Sequence, residues 1–316
     1  MHQRVALEQV PDVELVAACD IDDGKRGLVK GLPFYTTCDA MLRSHPEIEA
    51  VLVSVPPKQH FEVGLRVLEE GKHLLLEKPA TINLDQFEVL SHLAASKDSR
   101  FVTAFHFRCA GDVTWFADWY RREGESRLGD ITGFHSMFWD PYLLSSGIVD
   151  FAARLEGSWL DSGINSLSIL GAFLPSMNRV HHAEVRLKSA APVDIHSTAV
   201  IEFRSSHGQR CTGTIETDWT HGQNWKRTRL FFADSSDSVL LNHSKHSATL
   251  ISGETGVSKT LLEPSAPPDR LAAHYVGVLK DFQDHVNAGT DNVDFSRYVH
   301  TLLFQPLETA DKVTCP

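Results

Sequence analysis

The segment Gly71-Lys72-His73-Leu74-Leu75-Leu76-Glu77-Lys78-Pro79 constrains this chain more than any other. An unbroken apolar run bounded by glycine and proline reads as a short strand buried on both faces, as strands are inside a parallel sheet. Two opposite charges, Glu77 and Lys78, stand at its carboxyl end, where open α/β sheets place their ligands. Burying an ion pair for packing alone is costly, so these two are expected to face a cleft. A lysine there can donate to a substrate oxygen, or lose its proton when desolvated. The plain alternative is a solvated strand end.

The surrounding pattern agrees with a parallel sheet. Val13 to Cys19, Glu49 to Val55 and Phe101 to Phe105 read as strands, and His60 to Glu70 and Leu84 to Ala95 as helices. Such alternation implies a sheet covered by helices on both faces. After residue 108 the rhythm changes. A helix over Val113 to Arg122 is followed by strands at Ile131 to Trp139, Glu184 to Leu187, Ser197 to Phe203, Gln209 to Thr217, Thr228 to Phe232 and Val239 to Leu241. Their alternation and short polar turns predict antiparallel meanders. Helices over Asp269 to Asn287 and Phe295 to Val313 close the chain. The expectation is an α/β domain over 1–108, then an α+β domain with an open mixed or antiparallel sheet over 109–316.

Composition narrows the function classes. The 316 residues carry a formal charge of −11 with no basic stripe, which argues against nucleic acid and anionic membranes. No apolar run reaches membrane-span length and no leader opens the sequence. The five cysteines are scattered without C-x-x-C spacing, the pattern of reduced cytoplasmic thiols. The 17 histidines show no ligand spacing with cysteine or aspartate, so no metal is expected.

A dinucleotide fold opens with a strand, a Gly-x-Gly-x-x-Gly turn and a helix whose amino end holds the pyrophosphate. Here Met1 to Leu7 reads as the later part of that helix, so the first strand and its turn are expected to be missing. Gly24, Gly27 and Gly31 have the wrong spacing to replace it. Asp20 stands where an acidic residue would bond the adenosine ribose, a position a helix cap or turn would equally explain.

Three blocks together resemble the Gfo/Idh/MocA oxidoreductase family: Val13 through Asp20, Pro56-Pro57-Lys58-Gln59-His60, and Gly71 through Pro79. The resemblance implies a Rossmann-type cofactor domain followed by an open-sheet domain that often forms a dimer contact. It implies that Asp20, Pro57, His60, Glu77, Lys78 and Pro79 serve the cofactor. Pro57 and His60 would lie near the nicotinamide, Glu77 would bond its ribose, and Lys78 would reach the reacting oxygen.

A further block, Asp161-Ser162-Gly163-Ile164-Asn165 before an apolar helix, is similar to bacterial aldose 1-dehydrogenases of that family. Asp161 and Asn165 share a helix face by spacing. The same resemblance implies that His106, Arg108, Trp139, Asp218 and Trp225 contact a sugar, the tryptophans by stacking and the polar groups by hydrogen bonds. Core aromatics at Trp139 and Trp225, a core histidine at His106 and a capping Asp161 are the alternatives. The segment Asp140 to Leu160 is longer than in such enzymes, so Tyr142, Leu143, Leu144 and Phe151 would line a different loop.

The expected activity is oxidation of an aldose C1 hydroxyl to a lactone with NAD or NADP, Asp20 favouring NAD by repelling a 2′-phosphate. Asp161 is the candidate base, Asn165 the group orienting the oxygen, and Lys78 the counter-charge. Lys78 as proton shuttle is the other assignment. A homodimer or higher oligomer is expected. The rival readings are a catalytically silent sugar- or nucleotide-binding regulator of this fold and an N-terminally truncated gene product.

Overall fold

The protein is described from a computed structural model covering residues 9–29, 31–174, 179–190, 193–204, 209–265, 267, 269–308 and 310–314. Met1 to Leu7, read above as the end of a helix, lies outside the described residues.

The chain packs as two units. The first comprises the residues up to Ala104 together with Leu271–Arg297, and the second Phe105–Arg270 together with the residues from Tyr298 onward. The boundary expected at 108 therefore falls at 104, and a late segment assigned to the second domain belongs to the first.

In the first unit β1 (Ala18–Cys19) pairs in parallel with β2 (Phe34–Tyr35). After α1 (Cys38–Ser44), the strands β3 (Ala50–Val53), β4 (His73–Glu77) and β5 (Phe101–Ala104) form a parallel sheet in the order β3-β4-β5, linked by α2 (Pro57–Glu69) and α3 (Leu84–Ser96). Leu74, Leu75 and Leu76 are 0, 1 and 0 % exposed, as expected of a central strand covered on both faces. Gly71 ends α2 with φ +68°, a conformation that favours glycine, and its N–H returns to the Leu68 carbonyl at 2.9 Å. The strand expected from Val13 is much shorter than its apolar run. Among the described residues only Ala18 and Cys19 of that run pair, with Phe34 and Tyr35.

The second unit begins with a short turn, His106–Cys109, and α4 (Gly111–Trp119), which continues through a π-helical turn into α5 (Glu125–Leu128). Next come β6 (Ile131–Trp139), the small hairpin β7 (Leu143–Leu144) and β8 (Gly147–Ile148), and α6 (Ile164–Phe173). The remaining strands are β9 (Arg179–Ala190), β10 (Val193–Arg204), β11 (Arg210–Asp218), β12 (Trp225–Phe232), β13 (Ser238–Asn242), β14 (Ser247–Ile251) and β15 (Ser258–Leu262).

Two helices follow. Helix α7 (Arg270–Ala288) lies almost wholly in the first unit, and α8 (Val293–Phe304) ends in the second. Strand β16 (Asp311–Thr314) completes a nine-stranded sheet in the order β15-β14-β13-β12-β6-β11-β10-β9-β16. The β6/β11 and β9/β16 pairs are parallel, so the sheet is mixed. The closing helix expected over Phe295 to Val313 is corrected: it stops at Phe304, just before Pro306 denies the helix an N–H, and the chain re-emerges as β16.

The returning segment is fixed to the first unit by long-range bonds. Asn292 clasps Thr103 in both directions (2.9 and 3.0 Å), Ser296 meets the Thr103 hydroxyl at 2.6 Å, and Arg297 pairs with Glu88 at 2.7 Å.

One buried polar chain ties the second unit together. Asp112 of α4 pairs with His243 Nδ1 at 2.5 Å, and His243 Nε2 lies 2.9 Å from the Thr228 hydroxyl. Thr228 meets Ser136 at 2.9 Å, which in turn donates to Ser166 of α6 at 3.0 Å. All five residues are fully buried. Burial alone would raise the Asp112 carboxyl, but His243 outweighs it and holds the group below the ordinary carboxylate range. Its stabilisation is therefore complete above the unfolded pKa of about 3.9 and is lost as pH falls through the folded value. Asp112→Ala is expected to cost about 3 kcal/mol at pH 7, and that deficit should shrink below pH 4, read by urea denaturation at a series of pH values.

Candidate functional site

In the first unit the chemistry gathers at the carboxyl end of β4. Glu77 and Lys78 are half-buried there, between the buried leucines and the buried Pro79. The Glu77 carboxylate is gripped from both sides. Tyr275 of α7 donates its hydroxyl to Oε1, and the Lys78 backbone N–H lies 3.2 Å from Oε2. The Lys78–Pro79 peptide is cis.

His60, 1 % exposed on α2, holds the next residue. Its Nδ1 lies 2.7 Å from the Pro79 carbonyl and its Nε2 2.7 Å from the Val55 carbonyl. Burial pushes the imidazole below its ordinary pKa; the two carbonyls oppose this and the Lys78 charge adds to it. His60 thus braces the ends of β3 and β4 together. Pro57 is buried at the first position of α2, whose start carries no side-chain cap. Pro57 brings no N–H to this start, and the Gln59 N–H donates to the Pro56 carbonyl at 2.8 Å.

Asp20 follows β1. Its Oδ2 accepts from Lys25 at 2.6 Å and its Oδ1 from the Asp22 N–H at 3.0 Å. Slight burial works to raise its pKa, but these bonds win and lower it. Gly24 and Gly27 lie in the 3₁₀ turn Asp23–Leu28. Two oriented carboxylates at strand ends form an acceptor set that fits the ribose hydroxyls of a nicotinamide dinucleotide.

In the second unit Asp161 sits in a widened, π-helical turn, Trp159–Gly163, that runs straight into α6. It is not a capping residue. The Asn165 amide donates to the Asp161 carbonyl at 3.1 Å, so the pair expected to share one helix face is bonded side chain to backbone. Both ends of the turn are clamped by buried carboxylates. Asp194 accepts from Ser158 Oγ at 2.7 Å and from the Trp159 N–H at 2.9 Å. Asp140 accepts from Ser162 Oγ at 3.2 Å and carries Lys226 and Asn224 on its other oxygen. Burial raises the Asp194 carboxyl despite its bonds. Trp159, wholly buried, donates Nε1 to the Leu303 carbonyl at 2.9 Å.

Gly163 has a packing reason. A Cβ there would come within 2.6 Å of the Trp159 ring.

The other expected sugar contacts are distributed differently. His106 is buried in the turn opening this unit, its ring 4.8 Å from that of Phe107, and Arg108 is half-buried beside it. Trp139, Trp225 and Asp218 are brought together, but not beside Asp161 and Asn165. In register, His196, Asp218, Trp139 and Trp225 form one row across β10, β11, β6 and β12. Alternation along those strands sends this row to the sheet face opposite the one that buries Ser136, Thr217 and Lys226.

On that open face Trp139 and Trp225 meet edge to face at 5.5 Å, the His221 ring lies 4.3 Å from Trp139, and Arg227 caps Trp225 at 4.1 Å. The buried Trp139 Nε1, His221 Nδ1 and Arg227 Nε have no hydrogen-bond partner. Tyr142 and the longer loop form a small core with Trp219, Ile195 and Ala152, while Phe151 stays mostly exposed.

Sequence reasoning missed four participants: Tyr275, Asp140, Ser162 and Lys226. It also missed that His196, Glu216 and Asp218 can place ligand atoms within 4.8 Å of one another. Burial would raise the Asp218 carboxyl, but His196 and Thr220 hold it at about 2. Only cross-strand register assembles that trio. Among the described residues no helix is long and apolar enough to cross a membrane, and Cys19, Cys38, Cys109 and Cys211 are free thiols.

Residues 1–105 match the oxidoreductase family with the NAD-binding Rossmann fold. The match covers the first third of the chain, the part that forms the parallel sheet. Galactose 1-dehydrogenase of Pseudomonas fluorescens is 23% identical over 282 residues, covering 84% of this chain and 78% of that protein. The crystal structure of D-galactose-1-dehydrogenase from Rhizobium etli superposes with a TM-score of 0.73 at 23% identity, over 98% of this chain and 91% of that one. A 3-ketoreductase from Actinomadura kijaniata, in complex with TDP-benzene and NADP, gives a TM-score of 0.78 at 20% identity over 98% and 94% of the two chains. At these identities the structural likeness establishes the fold, a parallel Rossmann-like sheet with a mixed-sheet domain. Uncharacterized oxidoreductases of 31 to 37% identity are matched over only 18 to 40% of their own lengths.

Gly163→Ala is expected to destabilise the protein by about 2 kcal/mol through overpacking against Trp159. Thermal denaturation and near-ultraviolet circular dichroism of the tryptophans would register it.

Proposed function

We propose that this chain is an NAD(P)-dependent dehydrogenase that oxidises the C1 hydroxyl of an aldose to a lactone. The observation carrying this reading is the built strand end at Glu77–Lys78, with its carboxylate oriented by Tyr275 and its following proline braced by buried His60. A bound nicotinamide would supply the hydride acceptor. Glu77 and Asp20 would hold ribose hydroxyls, with the start of α2 at Pro57 and the His60–Pro79 brace shaping the nicotinamide end.

Asp161 would accept the hydroxyl proton and Asn165 would keep the reacting oxygen in line. Lys78 would offset negative charge developing on that oxygen, a role that needs no reorganisation if the ammonium is already oriented. His106 and Arg108 would supply hydrogen bonds to the sugar. Trp139, Trp225 and Asp218 share one row on the open sheet face, where strand alternation points them away from Asp161, so a sugar contact there would be separate from the reacting carbon. The same reading includes a homo-oligomer, since Val200 and Phe231 are each 39 % exposed on the open sheet face.

The test is a panel of aldoses with NAD and NADP, followed by absorbance of the reduced cofactor. Asp161→Ala should lower kcat by about a hundredfold or more while NADH affinity stays within twofold. Normal turnover in that variant would remove Asp161 from the chemistry. NADH binding with no aldose oxidised would instead identify a silent member of the fold. A lower KM for NAD than for NADP is expected from Asp20, and the reverse order would remove it from cofactor selection.

A further inference from the structure

The second unit buries a complete ion pair that the proposed reaction does not use. Lys226 and Asp140 are 4 and 3 % exposed, on the face of the sheet that carries α6. Lys226 Nζ donates to Asp140 Oδ1 and to the Asn224 side-chain Oδ1 (3.1 Å), while Asn224 Nδ2 donates to Asp140 Oδ1 at 3.1 Å. The second carboxylate oxygen, Oδ2, accepts from Ser162 Oγ at 3.2 Å.

That serine hydroxyl is also 3.4 Å from Asp161 Oδ2. It owns one proton and faces two carboxylates. Burial pushes the Lys226 ammonium below its ordinary pKa, opposed by Asp140 and, further off, Asp161; Arg270 also acts on it, and Tyr142 feels both aspartates. A buried ion pair is poor value for stability alone, since apolar residues of similar volume commonly do as well. Its geometry does something packing cannot: it fixes the lone pairs of Asp140 so that Ser162 is held between the two aspartates.

We infer that Lys226, Asp140 and Ser162 are positioning residues that hold Asp161 for proton acceptance. While Asp161 is ionised, the serine proton is shared between the two carboxylates. When Asp161 gains a proton, it can donate to Ser162 Oγ, and the serine proton then turns fully to Asp140. The relay conserves protons, and the Lys226 and Asn224 bonds to Oδ1 leave Asp140 Oδ2 turned toward the serine to receive that bond. This inference rests on the role proposed above for Asp161.

The experiment uses the full chain and the variants Ser162→Ala, Lys226→Met, Lys226→Arg and Asp161→Asn. Ser162→Ala should lower kcat about tenfold, the worth of one hydrogen bond, with the KM for cofactor unchanged. In an Asp161→Asn background the same substitution should cost nothing further. Losses that add in that background, or an unchanged kcat in Ser162→Ala beside a crippled Asp161→Asn, would overturn the positioning role. If Asp161→Asn itself turns over normally, the proposed role of Asp161 fails first.

A substrate-free readout covers a chain that oxidises no aldose in the panel. Carboxyl carbon NMR at one fixed pH, with Asp161 assigned by its disappearance in Asp161→Asn, should show the Asp161 resonance displaced in Lys226→Met and returned in Lys226→Arg. An undisplaced resonance would overturn the inference. Should Lys226→Met fail to fold, Ser162→Ala observed in the same way decides: its Asp161 resonance must differ from that of the parent.

Discussion

A carboxylate taken out of water needs a hydrogen-bonded partner or a counter-charge, and the second unit of this protein is organised around three of them. Asp112, Asp140 and Asp194 are 0, 3 and 8 % exposed. Each joins elements far apart in sequence: Asp112 reaches His243, Asp140 reaches Lys226 and Ser162, and Asp194 reaches Ser158 and Trp159. The last two bracket the widened turn that carries Asp161. A π-helical turn is intrinsically unfavourable, and this one persists because its two ends are tied to buried anions and its ring, Trp159, is locked against Gly163.

The first unit solves a different problem with the same means. Its central strand supplies the apolar burial, three leucines deep, and its polar end is stabilised by groups from other elements. Tyr275, far along the chain, orients Glu77, and His60 spans the carbonyls beyond β3 and β4. The returning segment around Asn292 and Ser296 binds β5, so the helix that delivers Tyr275 is anchored independently of Glu77.

Much of this frame was legible in the residues. The strand ending at Glu77, the helices after Pro57 and Leu84, and β6 from Ile131 to Trp139 follow from apolar runs and alternation. Other elements were hidden for physical reasons. Ser247–Ile251 and Ser258–Leu262 are rich in serine and threonine, so their strand character comes from ladder pairing rather than from an apolar pattern. The segment before Ala18 has the composition of a strand, yet among the described residues it pairs only at Ala18 and Cys19. The helix ending at Phe304 could have been stopped correctly by Pro306, a signal present in the sequence and outweighed by the apolar residues around it.

By itself, the sequence determined the class of fold, the strand that presents Glu77 and Lys78, and the adjacency of Asp161 and Asn165, because each depends on near neighbours in the chain. The tertiary structure alone decided which aspartates are buried, which groups neutralise them, and which sheet face each side chain occupies. Trp139 and Asp140 are consecutive, yet the pleat sends one to the open face and the other into the ion pair with Lys226. A one-residue step changes the face, and only the register of nine strands says which face is covered.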